Sequence, residues 1–438
     1  MLYQDIFFFN TFIKFFFIIM YINIILYKHI NYIRIGFYTY SLKGGGTERV
    51  TALFINYLSI EKNFKMFLFS QKGKEKNEYE IPKNIKRIAI KGNEEISTKK
   101  LKRQLMINKI DILIYQFPHG NEINVLNNMK NIKIIIYSHF CFLTWIYFYK
   151  IKYFNILYNS YKHSKYIVSL VPFENDYIFK KWGINSILMN NLISYEYDKI
   201  TPSDLSSKII LMIGRASDKY KRFSLGIESM KFISQEIPDS EMKIISDLNG
   251  INELKELTKN LTIENNIHFI EYTSKPEEYY KNASLHIFPT ISEAFPMILC
   301  ETKIYGIPNI LTGLDFVSMS KGGTIIIYDD KPESIAKEAI KILNDKNYRK
   351  KLGEEARESM KKYNNEQTIK KWIKLIFSVY YGDESYKNLR VQEQNLPENE
   401  SLKIVNNQIE LLKMREPYFK NLTIKTLLNF SSLEKILE

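Results

Sequence analysis

From residue 33 onward, short apolar runs alternate with amphipathic stretches, and the two periods are those of buried strand and surface helix. The runs at 33–38, 66–70, 111–116, 132–139, 166–170 and 186–190 read as parallel strands covered on both faces. Between the first two, Val50, Leu53, Phe54, Tyr57 and Leu58 recur at helical spacing, which predicts a helix over 48–58 docked on a sheet. The rhythm restarts after Lys208, with strands expected at 209–213, 242–246, 267–272, 285–288, 307–311 and 324–328. Between the two series, residues 195–207 are polar, with Pro202 and several serines, and read as an interdomain linker. The fold class is therefore α/β, with one domain over 33–198 and a second over 207–380. Helices at 332–343, 348–363 and 366–379 close the second domain. A tail over 381–438 shows helical periodicity around 402–414, either as a packed accessory helix or as an interaction arm.

The first 32 residues break this pattern. Between Ile6 and Tyr27 the only charged residue is Lys14, and phenylalanines cluster at 7–9 and 15–17. Such a stretch can cross a bilayer core of ~30 Å. Asp5 precedes it while Lys28 and Arg34 follow, which would leave the rest of the chain in the cytoplasm, attached to the inner face of a membrane. Two other readings stay open: an over-extended start with the initiator at Met20, or an extra buried helix or strand.

Composition narrows the classes. The chain has 438 residues, 45% of them hydrophobic, enough for two large cores. A formal net charge of +14 calls for an anionic partner. The basic residues are spread along the chain rather than gathered in a tail, so nucleic acid is not expected. Cys141 and Cys300 stand far apart and outside any CxxC, and Asp-x-Asp does not occur. Neither a disulfide framework nor a paired-aspartate metal clamp is expected, and no metal ligands are assigned.

Four places carry candidate chemistry. Lys43-Gly44-Gly45-Gly46-Thr47-Glu48-Arg49 follows the first strand and opens a helix. Its glycines let backbone N–H groups approach a ligand, and a helix N-terminus favours phosphate; a tight strand–helix turn would use the same residues. Gly214-Arg215, with Lys221 six residues after the arginine, follows the first strand of the second domain and forms a candidate anion cradle. Glu293 and Glu301 sit in a loop and the following helix, after the 285–288 strand, with Phe295, Pro296 and Met297 between them. Eight helical residues rise about 12 Å, too far for the 5–5.5 Å carboxyl pair of a retaining hydrolase. Two acceptors for hydroxyls of one extended ligand fit better; two ordinary surface glutamates are the alternative. His139 ends the 132–139 strand, and His119 follows the strand before it.

Taken together, Gly45-Gly46-Thr47-Glu48-Arg49, Gly214-Arg215 with Lys221, and Glu293 with Glu301 resemble the three anchors of glycosyltransferase family 4. The resemblance covers roughly residues 33–380. It implies two Rossmann-like domains facing across a cleft (the GT-B fold) and a metal-independent retaining hexosyltransferase. No cofactor is implied beyond the donor substrate, a nucleotide-diphosphate sugar such as a UDP- or GDP-sugar. By the same resemblance, Glu301 bonds the ribose hydroxyls and Glu293 the sugar hydroxyls. Arg215 and Lys221 stabilise the leaving diphosphate. Gly45, Gly46, Gly214, Phe295, Pro296 and Met297 line the donor site, and His139 lies near the reacting sugar. Asn190 matches an asparagine before the linker. Ala294 departs from the family, where a glycine is common.

The acceptor is less legible. The aromatic, lysine-flanked run 140–154 suits either a membrane interface or a buried helix. A glycan or lipid-linked saccharide is the expected acceptor, with a membrane surface as a further partner. Two other readings keep the fold but change the activity: a nucleotide-sugar epimerase or hydrolase, and a non-catalytic sugar-nucleotide binder.

Overall fold

The computed structural model describes residues 32–116, 122–141, 151–179, 182–217, 219–247, 249–273, 275–389 and 398–415. The hydrophobic segment over 1–31, His119 and residues 142–150 of the aromatic run lie outside them.

Two parallel sheets organise the chain. The first takes β1 (Ile33–Thr39), β2 (Phe64–Ser70), β3 (Lys86–Ala89), β4 (Ile112–Tyr115), β5 (Lys133–Tyr137), β6 (Tyr166–Ser169) and β7 (Ile187–Leu188). Their spatial order is β3-β2-β1-β4-β5-β6-β7. The second takes β8 (Ile209–Ile213), β9 (Glu241–Ser246), β10 (Ile267–Glu271), β11 (Leu285–Phe288), β12 (Asn309–Thr312) and β13 (Thr324–Ile327), in the order β10-β9-β8-β11-β12-β13. In each sheet the order reverses beside the first strand, between β1 and β4 and between β8 and β11. Ligands of open parallel sheets bind at the carboxyl ends of strands beside such a reversal.

The described helices are α1 (Gly46–Leu58), α2 (Glu94–Ile107), α3 (Glu122–Asn127), α4 (Ile151–Lys162), α5 (Phe223–Glu236), α6 (Ile251–Asn260), α7 (Glu277–Lys281), α8 (Met297–Ile304), α9 (Pro332–Asn344), α10 (Lys346–Glu358), α11 (Asn365–Tyr381) and α12 (Glu398–Arg415). Pro332 opens α9 and Gly382, at φ 76°, ends α11, each at the helix terminus its backbone suits. In α1, Val50, Phe54, Ile55 and Leu58 are buried on one stripe, as the spacing predicts.

The sequence did not reveal β3. Its four residues are Lys-Arg-Ile-Ala, half-exposed at the sheet edge, where charge blunts an open strand and hides the apolar signal. The expectation that 366–379 closes the second domain is corrected. Helix α11 packs on the first. Trp372, fully buried, meets Phe54 edge-on at 5.0 Å and Tyr137 at 4.8 Å between ring centres. Lys133 Nζ donates to the carbonyls of Val379 (2.7 Å) and Tyr380 (2.6 Å), placing a cation at the negative end of the helix. Removing the indole would cost about 3–5 kcal/mol by the usual large-to-small scale.

The chain thus crosses between the domains twice, and one residue joins the crossings. Asn365 accepts from Ile193 N at 2.8 Å and donates to Ile193 O at 2.9 Å. The linker is docked rather than loose. Ser203 bonds the carbonyl of Ala283 at 2.7 Å, and Arg357 donates to the carbonyls of Tyr197 and Ile200 at 2.9 and 2.8 Å.

Candidate active site

The glycine-rich loop leaves β1 and enters α1 without a side-chain cap. A β-carbon on Gly45 would lie 2.3 Å from Glu48 Oε2, and one on Gly46 would lie 3.7 Å from Met297 of the second domain. The loop therefore abuts the start of α8 across the domain boundary. Burial is the main influence on Glu48 and raises its pKa; its own backbone hydrogen bond and the charge of Arg215, from the opposite domain, pull it back.

Arg49, one turn into α1, reaches across and pairs with Glu301 Oε1. The second carboxylate oxygen accepts from Tyr280 Oη at 2.6 Å. Glu301 is 1% exposed and lies on the second turn of α8. Burial is the largest influence on Arg49 and weakens its charge, but Glu301 together with Tyr79, Tyr272 and Tyr280 outweighs it and the pKa is raised. The guanidinium also rests 5.6 Å from the centre of the Tyr79 ring. Tyr79 Oη in turn lies 3.0 Å from Tyr272 Oη of the second domain. Arg49 and Tyr280 gave no lone signal in the sequence: Arg49 was visible only as the end of the glycine motif, and Tyr280 lies on the short helix α7.

The second cluster stands where β8 and β11 end. Lys221 Nζ pairs with Glu293 Oε1 and lies 5.3 Å from the ring centres of both Tyr220 and Phe288. A β-carbon on Gly214 would touch the Lys221 stem at 3.7 Å. The basic anchor and the acidic loop anchor, read as separate contacts to a ligand, are thus bonded to each other. Arg215 is exposed and reaches Tyr220 Oη at 3.3 Å. Phe295 is buried edge-on against Tyr363 (5.8 Å), and Pro296 caps α8. The charged partner of Glu301 comes from the first domain and that of Glu293 from the second.

His139 stands at the end of β5, its ring 4.1 Å from that of Tyr137. Its Nε2 is shielded and has no hydrogen-bond partner among the described residues. Burial holds its pKa at about 3, so the imidazole is neutral near pH 7. The buried amide near the linker is Asn191, which accepts from Tyr137 Oη; Asn190 is only half-buried.

Residues 194–359 match the family model described as glycosyl transferases group 1. The second domain is therefore similar to the group 1 glycosyltransferases. The matched residues include Gly214, Arg215, Lys221, Glu293 and Glu301. Over 364 residues the chain is 23% identical to an uncharacterized glycosyltransferase of Haemophilus influenzae, covering 77% of this chain and 98% of that protein. It is 24% identical over 234 residues to the capsular polysaccharide biosynthesis glycosyltransferase CapM of Staphylococcus aureus, covering 52% and 59% of the two chains. Among solved structures, HepE of Anabaena in complex with UDP and glucose superposes with a TM-score of 0.64 at 12% identity, over 79% of this chain and all of that one. Two Rossmann-like domains in the GT-B arrangement are therefore the fold of this chain. Among the described residues no group of three His, Cys, Asp or Glu side chains could hold a metal ion, and no helix is long and apolar enough to cross a membrane.

Proposed function

We propose that this protein is a retaining glycosyltransferase that moves a hexose-type sugar from a nucleotide-diphosphate sugar to a glycan or lipid-linked saccharide. One observation carries the reading: loops from the switch points of both sheets meet, with Gly46 against Met297, Arg49 on Glu301, and Lys221 on Glu293. A ligand long enough to touch both clusters has a sugar–diphosphate–ribose shape. Glu301 is the acceptor for ribose hydroxyls and Glu293 for hydroxyls of the transferred sugar. The HepE complex supports a uridine diphosphate as the first nucleotide to try.

In the reaction, the bond from the sugar C1 to the diphosphate oxygen breaks and a bond to an acceptor hydroxyl oxygen forms. The acceptor proton passes to the departing phosphate. Negative charge grows on that phosphate, and Lys221 with Arg215 supplies the counter-charge without a metal. Entry of the donor requires Lys221 to exchange part of its contact with Glu293 for the phosphate. His139, neutral and with a spare ring nitrogen, would bond the sugar from the first domain. The N-terminal segment would hold the enzyme at the inner face of a membrane, where a lipid-linked acceptor lies.

Purified protein heated with UDP-, GDP- and ADP-sugars tests this. A bound donor at 100 times its Kd adds about 2.7 kcal/mol of stability. Incubation of the stabilising donor with candidate acceptors, read by anomeric NMR signals, then gives the stereochemistry. No stabilisation by any nucleotide sugar, or an inverted product, refutes the proposal.

A further inference from the structure

Helix α12 lies beyond the residues that match the glycosyltransferase family model, and its packing gives it a task. Ser401, Ile404, Val405, Gln408, Leu411 and Arg415 form one buried stripe. The helix packs against the turn Glu174–Phe179 of the first domain and the loop after β12 in the second. Gln408 Nε2 donates to Gly313 O at 2.6 Å and to Asp315 Oδ1 at 3.0 Å. Asn407 Nδ2 donates to Asp315 Oδ2 at 2.9 Å. Gly313 is left-handed at φ 66°, and a β-carbon there would strike Leu411 Cδ1 at 2.4 Å. The approach is therefore closed to any larger residue.

At its end the helix delivers Arg415, 2% exposed, to Asp330. Arg415 Nε lies 2.5 Å from Asp330 Oδ2 and Nη2 lies 3.0 Å from Oδ1. The same carboxylate takes a second guanidinium: Arg222 Nη1 at 2.7 Å and Nη2 at 2.9 Å. Arg222 follows Lys221 directly. Its Nε donates to Pro289 O at 2.8 Å, and its Nη2 to Thr312 Oγ1 at 2.7 Å. Pro289 opens the loop that carries Glu293, and Ile291 N in that loop donates to Tyr220 O at 3.0 Å. Arg222 and Asp330 both hold left-handed backbone, at φ 47° and 51°. Non-glycine residues stay in that region only where their surroundings over-determine them.

We propose that α12 is a strap that positions the Lys221–Glu293 pair, acting from Arg415 through Asp330 and Arg222. The proposal rests on the glycosyltransferase reading for its catalytic consequence but not for its structural one. Arg415, Asp330 and Arg222 are positioning residues: each acts on the loops that bear the charged pair. Because the strap also packs on the first domain, it sets these loops only when the two domains are in the arrangement described.

The test is hydrogen exchange on the full chain, followed by kinetics. In Arg415→Gln, amides of residues 215–222 and 289–293 should exchange roughly tenfold faster, while those of β1, β4 and β5 are unchanged. Arg415→Lys, which keeps charge but not the two-point contact, should lie between the two. Gln408→Ala, which leaves Asp330 alone, should loosen 313–315 but not 215–222. With a working donor, Arg415→Gln should lower kcat about tenfold with KM little changed. If Arg415→Gln fails to fold, Asp330→Asn provides the same comparison. Faster exchange confined to α12, with 215–222 and 289–293 as in the parent, overturns the strap. Faster exchange there in a protein that no nucleotide sugar stabilises upholds the strap and refutes the proposed donor.

Discussion

Replacing Arg49 with leucine removes a charged contact between α1 and α8, and its effect can be worked from the burial of its partner. Glu301 is 1% exposed, and of its two donors only Tyr280 would remain. Breaking a buried ion pair from one side costs about 3–5 kcal/mol, because the surviving charge is stranded. At roughly 2–4 °C per kcal/mol for domains of this size, Tm should fall by about 6–20 °C. Glu301→Gln strands the guanidinium instead and should cost a similar amount, softened by Arg49 lying on the Tyr79 ring. The double variant should be far less damaged than the sum, giving a coupling of about 2–3 kcal/mol. Calorimetry on the four proteins at one pH measures this. A single loss can be relieved by the domains parting to admit water, so Arg49→Leu should also increase the radius of gyration in small-angle scattering. Single effects that add within about 0.5 kcal/mol would mean the pair is not coupled and does not join the domains.

The remaining predictions follow from the same contacts. Lys221→Ala should cost about 3–4 kcal/mol of transition-state stabilisation, on the scale of one lost oxyanion donor; turnover near the parent's would remove Lys221 from the reaction. Tyr280→Phe takes one donor from a buried carboxylate and should destabilise by about 1.5–3 kcal/mol, read by calorimetry; no change would mean that water replaces the phenol. His286 is fully buried, and burial lowers its pKa to about 4, helped by the nearby charge of Lys221 and opposed by its bond to Asn309. The unfolded chain takes up a proton near pH 6.5 while the folded one does not, so stability is lost as pH falls through that range. By pH 5 the loss from this residue is about 2 kcal/mol, and His286→Gln should flatten the slope between pH 7 and 5; equal slopes in both proteins would refute it.

The sequence alone determined the α/β class and the strand-end loops that carry the candidate residues. Buried parallel strands need long apolar runs, and turns at strand ends need glycine and proline, so β1, β8, β11 and their loops are visible as one-dimensional patterns. The 3.6-residue stripe of α1 is legible for the same reason. Edge strand β3 was not, because exposure frees its positions to carry charge. Nor was the home of α11: an apolar stripe records that a helix is buried, not against which sheet, and Trp372 and Lys133 settle that only in three dimensions. Tertiary structure alone decided the pairings. Arg49 with Glu301 spans 252 residues, Lys221 with Glu293 spans 72, and Arg415 with Asp330 spans 85. An ion pair needs only proximity of opposite charges. No period or spacing in the chain encodes that, and the fold must first bring the strand ends together.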